Sequence, residues 1–175
     1  MSQAELKKRL QNIRMLLTDV DGVHTDGRLI LSGSDEMKTF HVHDGLGLVL
    51  ASHAGLKLGM ITGRESEAVQ RRARELHVDV LHQGVRNKLD SYFKIIAAND
   101  LQDEAICYMG DDLTDLPVMK RAGIAVAPAN ARDEVKHIAD VVTCASGGSG
   151  AVREIVELIL KSQNLWQDII QRETT

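Results

Sequence analysis

The chain has 175 residues, 43% of them hydrophobic and 3% aromatic, and its 21 Lys and Arg against 25 Asp and Glu give a net charge of −4. That length suits one domain, residues 1–175, with a sizeable core, and the lack of a basic excess argues against a nucleic-acid partner. No signal-peptide core opens the chain and no apolar run approaches the roughly 18 residues of a membrane span, so the expectation is a soluble, cytoplasmic protein without a membrane partner.

Ser2 and Glu5 match a capping box and predict a helix over residues 3–12. The apolar run Ile13-Arg14-Met15-Leu16-Leu17 then reads as a buried strand that ends in the acidic loop Thr18 to Gly27. Residues 28–42, with a Gly-containing turn at Ser32 to Glu36, predict a β-hairpin. Asp44 is a candidate cap for a helix to His53, closed by Gly55 before a strand over 56–61. Helices over 65–76, 87–98, 112–121 and 131–138 alternate with strands over 79–82, 105–109, 123–127 and 140–143, and a last helix covers 151–162. Such alternation predicts an α/β fold with a doubly wound parallel sheet, whose ligands gather at the carboxyl ends of the strands. The tail 164–175 carries Leu165, Trp166, Ile169 and Ile170, which suit either a partner surface or a helix folded back on the core. Cys107 and Cys144 form no disulfide or metal framework.

Asp19 and Asp21, one residue apart at a strand end, repel each other unless a hard cation or a proton offsets the charge. Asp111, Asp112 and Asp115 follow another strand in the same relation, so both clusters can converge on one Mg²⁺ beside a substrate phosphate. Thr62 and Gly63 are read as a hydroxyl and a backbone N–H at a helix start, and Lys88 as a cation within reach of a phosphate. This set suits phosphoryl transfer to a carboxylate, with Asp19 attacking phosphorus and Asp21 protonating the leaving alcohol before activating water.

The D-x-D-G-x-x-T-D-G loop, the Thr62-Gly63-Arg64 turn, Lys88 and the Gly110-Asp111-Asp112 to Asp115 cluster, taken together, resemble the haloacid dehalogenase superfamily of phosphatases. The resemblance implies a Rossmann-like core with Asp19 as nucleophile and Asp21 as acid/base and carbonyl metal ligand. It implies Thr62 and Lys88 as phosphate binders, and Mg²⁺ held by Asp19, Asp21 and Asp111, with Asp112 acting through water and Asp115 orienting Lys88. Residues 13–163 are similar to the small members without a cap domain that hydrolyse 3-deoxy-D-manno-octulosonate 8-phosphate in lipopolysaccharide synthesis. The matching stretches are Asp21-Gly22-Val23, Lys38 to Val42 with Asp44-Gly45, Ile61 to Arg64, Gln83-Gly84 with Asn87-Lys88-Leu89, and Gly147-Gly148 with Gly150 to Glu154. That likeness implies a homotetramer in which hairpin and C-terminal segment cover a neighbour's site, and substrate contacts from His41, Val42, His43, Asp44, Gly45, Gly63, Arg64 and Arg72. His24 stands where an aliphatic residue is usual, and His43 where this branch often has arginine, which leaves the sugar open. His41 and His43 on one strand face admit a metal site or plain surface histidines.

An EF-hand is excluded because, counting from Asp19, Val23, His24 and Ile30 fill positions five, six and twelve. No P-loop is present. A response-regulator receiver lacks the D-G-x-x-T-D-G continuation, and a phosphatase-like binding module is the remaining non-enzymatic reading. Within the enzyme reading, a phosphatase for a nine-carbon deoxy sugar acid is the alternative.

Overall fold

Four residues, Met15–Thr18, make β1, and alternation sends Leu16 to one face of the sheet and Met15 and Leu17 to the other. The computed structural model describes residues 2–32 and 35–174. β1 pairs in parallel with β4 (Lys57–Ile61) on one side and β6 (Ile106–Met109) on the other. Beyond β4 lies β5 (Val80–His82); beyond β6 lie β7 (Ile124–Ala127) and β8 (Val141–Val142), again all parallel. The order β5-β4-β1-β6-β7-β8 places the reversal of winding at β1, the position at which a crevice opens beyond the strand ends.

Both faces are covered, as a parallel sheet requires. One carries α1 (Gln3–Gln11), α2 (Val42–His53), α3 (Glu67–Glu75) and α7 (Ala151–Ser162). The α7 stripe Val152, Ile155, Val156, Ile159 and Leu160 is fully buried there, each side chain contributing about 1.5–3 kcal/mol. The other face carries α4 (Lys88–Ala98), α5 (Leu116–Met119) and α6 (Asp133–Ile138), packed through Tyr92, Ile95, Val118, Met119 and Val135. Ser2 caps α1 by accepting the Glu5 N–H at 3.2 Å.

Five expectations need correction. The hairpin is present as β2 (Ile30–Ser32) antiparallel to β3 (Asp35–Met37), and the Gly33-Ser34 turn lies outside the described residues. It ends early because Lys38 leaves the ladder to pair with Asp21, so α2 begins at Val42 with His41 in the N-cap position. His41 and His43 therefore share the start of a helix, with ring centroids 5.1 Å apart, and not a strand face. Asp44 lies inside the first turn of α2 and caps α7 instead, accepting from Gly150 N at 3.1 Å and Arg153 N at 2.7 Å. The Thr62 N–H donates to His82 O at 2.9 Å, which ties Thr62 to the end of β5 just past β4, and α3 starts only after Ser66. The 112–121 helix splits into a 3-10 turn, Leu113–Asp115, capped by Asp112, and α5, where Pro117 has no N–H to continue the turn.

The tail folds back. α8 (Trp166–Glu173) packs Leu165, Trp166 and Ile169 against the core, and Arg153 and Lys161 lie over the Trp166 ring at 5.1 and 5.4 Å. Cys107 is buried in β6 and Cys144 is exposed; both are free thiols. Among the described residues no helix is long and apolar enough to cross a membrane.

Candidate active site

Asp19 is the first residue past β1, and its N–H donates to Met109 O at 2.9 Å, so the sheet ladder itself carries it to the crevice. Gly22 closes the loop behind it with φ +91°, where any Cβ would collide with the Asp111 carboxylate. Only glycine satisfies both conditions. A second clamp comes from the far end of the chain: Gly148 N donates to Val23 O at 2.9 Å, and a Cβ on Gly147 would strike Gly22 O.

Lys88 opens α4, a poor place for a cation because the amino end of a helix carries partial positive charge. Two carboxylates offset that cost: Lys88 Nζ lies 2.8 Å from Asp19 Oδ1 and 2.7 Å from Asp115 Oδ1. Burial opposes its charge, but the two anions outweigh burial and raise its pKa. Asp115 is fully buried and saturated: Tyr108 donates to Oδ1 at 2.7 Å, and Asp111 N and Asp112 N donate to Oδ2 at 3.1 and 3.3 Å.

Asp19, Asp111 and Asp115 bring one oxygen each within 4.8 Å of one another, a separation that suits a shared cation. Since Asp115 already accepts from four donors, Asp19 and Asp111 are the carboxylates with capacity left. Asp111 Oδ1 is buried with no hydrogen-bond partner among the described residues, an arrangement that costs free energy unless a cation or proton is supplied. Burial, together with the neighbouring carboxylates, pushes Asp111 up to about 7 and Asp19 up to about 6. These residues fit a hard divalent ion. Asp112, placed in the ligand set from sequence, spends Oδ1 on Leu113 N at 2.7 Å and is exposed, and it stands outside the trio.

Asp19, Asp21, Thr62, Gly63, Arg64, Lys88, Asp111 and Asp112 all line one cleft of about 330 Å³. The cleft does not include His41, Val42, His43, Asp44, Gly45 or Arg72. Val42 and His43 point to solvent, Gly45 is packed under the Arg72 guanidinium, and Arg72 pairs with Glu75 at 2.9 Å in a separate cavity that includes Phe40. Sequence reasoning gave no role to Arg86 and Thr114, which line the cleft, to Tyr108, which fixes Asp115, or to Lys38, which pairs with Asp21. The polar Tyr108 in an otherwise apolar strand was the one local signal for any of them.

Carboxylates and a single lysine gathered where a doubly wound sheet reverses define a class of enzyme that works on a phosphorylated substrate with a hard cation. A family model described as haloacid dehalogenase-like hydrolase matches residues 60–155. The 3-deoxy-D-manno-octulosonate 8-phosphate phosphatase KdsC of Escherichia coli K12 is 38% identical over 161 residues, covering 91% of this chain and 86% of that protein. KdsC of Yersinia pestis is 40% identical over 158 residues, covering 90% and 84%. The crystal structure of a probable YrbI family phosphatase from Pseudomonas syringae superposes with TM-score 0.96 at 39% identity over 99% of both chains. The Moraxella catarrhalis 3-deoxy-D-manno-octulosonate 8-phosphate phosphatase, solved with magnesium, phosphate and KDO, superposes with TM-score 0.95 at 36% identity over 98% of this chain and 99% of that one. The chain belongs to the haloacid dehalogenase-like hydrolases, and it is a phosphatase of that family.

Proposed function

We propose that this protein hydrolyses 3-deoxy-D-manno-octulosonate 8-phosphate to the free sugar acid and phosphate, in lipopolysaccharide synthesis. The observation that carries the reading is the contact of Asp19 with Lys88 at 2.8 Å in a cleft shared with Thr62, Gly63 and Asp111. The likeness to enzymes named for this substrate, one solved with magnesium, phosphate and KDO, supports the choice of sugar.

Asp19 attacks phosphorus in line with the bond to the sugar oxygen, giving an aspartyl-phosphate as that bond breaks. Lys88, Thr62 and the Gly63 N–H hold the phosphoryl oxygens and stabilise charge as it develops. Asp21 gives its proton to the departing sugar oxygen, then takes one from the water that attacks phosphorus and frees Asp19. Asp115 and Tyr108 keep Lys88 aimed at the transferring group. Mg²⁺, held by Asp19, Asp111 and the Asp21 carbonyl, with Asp112 acting through water, supplies Lewis-acid stabilisation of phosphoryl charge when bound.

Oligomerisation to a tetramer is part of the proposal. Leu31 is 69% exposed and Val42 77%, beside exposed Leu29, Ile30 and Met37, an apolar face on and beside the hairpin that suits burial against another copy. His41, Val42, His43 and Arg72 then serve the substrate from around the assembled pocket. Phosphate release with Mg²⁺ from a panel of sugar phosphates, for wild type and Asp19→Asn, tests the reading. The expected result is fastest turnover of the octulosonate and an inactive variant. Preference for a nine-carbon sugar acid would move the substrate assignment and point to His43, and no hydrolysis by wild type would overturn the enzyme reading in favour of a binding module.

A further inference from the structure

Among the described residues β2 and β3 pair only with each other, yet two side chains on and just beyond the hairpin contact residues that line the cleft. Lys38, its side chain only 1% exposed, pairs with Asp21 and lies 3.1 Å from Glu36 Oε1. Glu36 Oε2 accepts from Arg64 Nη2 at 2.5 Å, and Arg64 lines the cleft that holds Asp19. The hydrogen bond from Arg64 leads the effects that hold the Glu36 carboxyl at about 2; Lys38 and the Ser66 hydroxyl add to it and burial opposes it. Glu36 is thus a firmly ionised carboxylate seated between a guanidinium and an ammonium at the rim of the site. Phosphoryl transfer as derived above gives it no task. A guanidinium and an ammonium converging on one carboxylate form a site of the kind that would receive a carboxylate from outside.

We propose that Glu36 is a resident competitor, filling an anion position made by Arg64 and Lys38 that the carboxylate of the incoming sugar acid takes over on binding. Displacement frees the hairpin from Arg64 and lets Lys38 divide its charge between Asp21 and the substrate. The hairpin then works as a selectivity latch: esters with no carboxylate cannot displace Glu36 and meet a rim already occupied. This rests on the sugar-acid phosphatase reading.

Steady-state kinetics of Glu36→Gln beside wild type, with Mg²⁺, decide the matter using 3-deoxy-D-manno-octulosonate 8-phosphate and phenyl phosphate. The variant keeps the side-chain volume, and a thermal melt checks its fold. The KM ratio of the octulosonate ester to phenyl phosphate should fall at least threefold in the variant. Free 3-deoxy-D-manno-octulosonate should also inhibit phenyl phosphate hydrolysis at severalfold lower concentration. A ratio that is unchanged or raised, as expected if Glu36 merely orders Arg64, overturns the proposal. Should wild type prefer an ester without a carboxylate, the functional reading falls by itself. The inhibition arm still judges Glu36, because equal inhibition of the two proteins overturns its assignment.

Discussion

Asp115 and Lys88 form a buried ion pair 2.7 Å long directly beside Asp19, and Asp115 also gathers the Tyr108 hydroxyl and two backbone N–H groups. One carboxylate therefore fixes both the Lys88 ammonium and the turn that carries Asp111. Asp115→Asn removes the charge and turns one acceptor into a donor facing other donors, so we expect a loss of roughly 1–3 kcal/mol in urea unfolding. kcat should fall more than KM rises, because Lys88 loses its aim in the transition state. A change in KM alone would contradict this role.

Asp111→Asn takes away a carboxylate with one buried oxygen that has no hydrogen-bond partner among the described residues. The Mg²⁺ concentration for half-maximal phosphate release should rise about tenfold or more, as hard-cation sites depend on ligand charge. Asp112→Asn should raise it far less, since Asp112 caps the Leu113–Asp115 turn. Mg²⁺ titrations of the two variants give the comparison.

His24 is buried and bonded to Thr18 Oγ1 at 2.7 Å, and burial, helped by the nearby Arg72 charge, lowers its pKa from 6.5 to about 4. The native state keeps this imidazole neutral while the unfolded chain protonates it below about pH 6.5. Stability is therefore complete above that pH and declines as the pH falls from 6.5 towards 4, by up to about 3 kcal/mol from this group. Urea midpoints at pH 7 and pH 5 should separate strongly in wild type and less in His24→Leu.

Asp44 joins α2 to the start of α7 through two backbone N–H groups. Asp44→Ala leaves both part-buried donors without their acceptor and should cost about 1–2 kcal/mol, read by denaturant unfolding.

The strand and helix alternation was legible because each element carries its own periodicity, and α7 falls on residues 151–162 as its stripe demands. The acidic loop, Lys88 and the Asp111 cluster were legible because their spacing is local to strand ends. What spacing could not reveal is where long side chains go. Asp44 reads as a cap for its own helix and instead serves one more than a hundred residues away, and Lys38 reads as a strand residue and instead turns in to Asp21. The tail's apolar residues fit a partner or the core equally until Leu165, Trp166 and Ile169 are seen against the core.

Asp19 is separated by more than 120 residues from the glycines that brace its loop, Gly147 and Gly148. Because a ribosome makes the amino end first, Asp19 emerges long before β4, β6 or the glycine clamp exist to hold it. Nascent or prematurely terminated chains that stop before residue 147 carry Asp19 without its setting. Catalytic competence thus arrives only after Gly148 has been made, and proteolytic loss of residues 147–175 should silence the enzyme as surely as loss of Asp19.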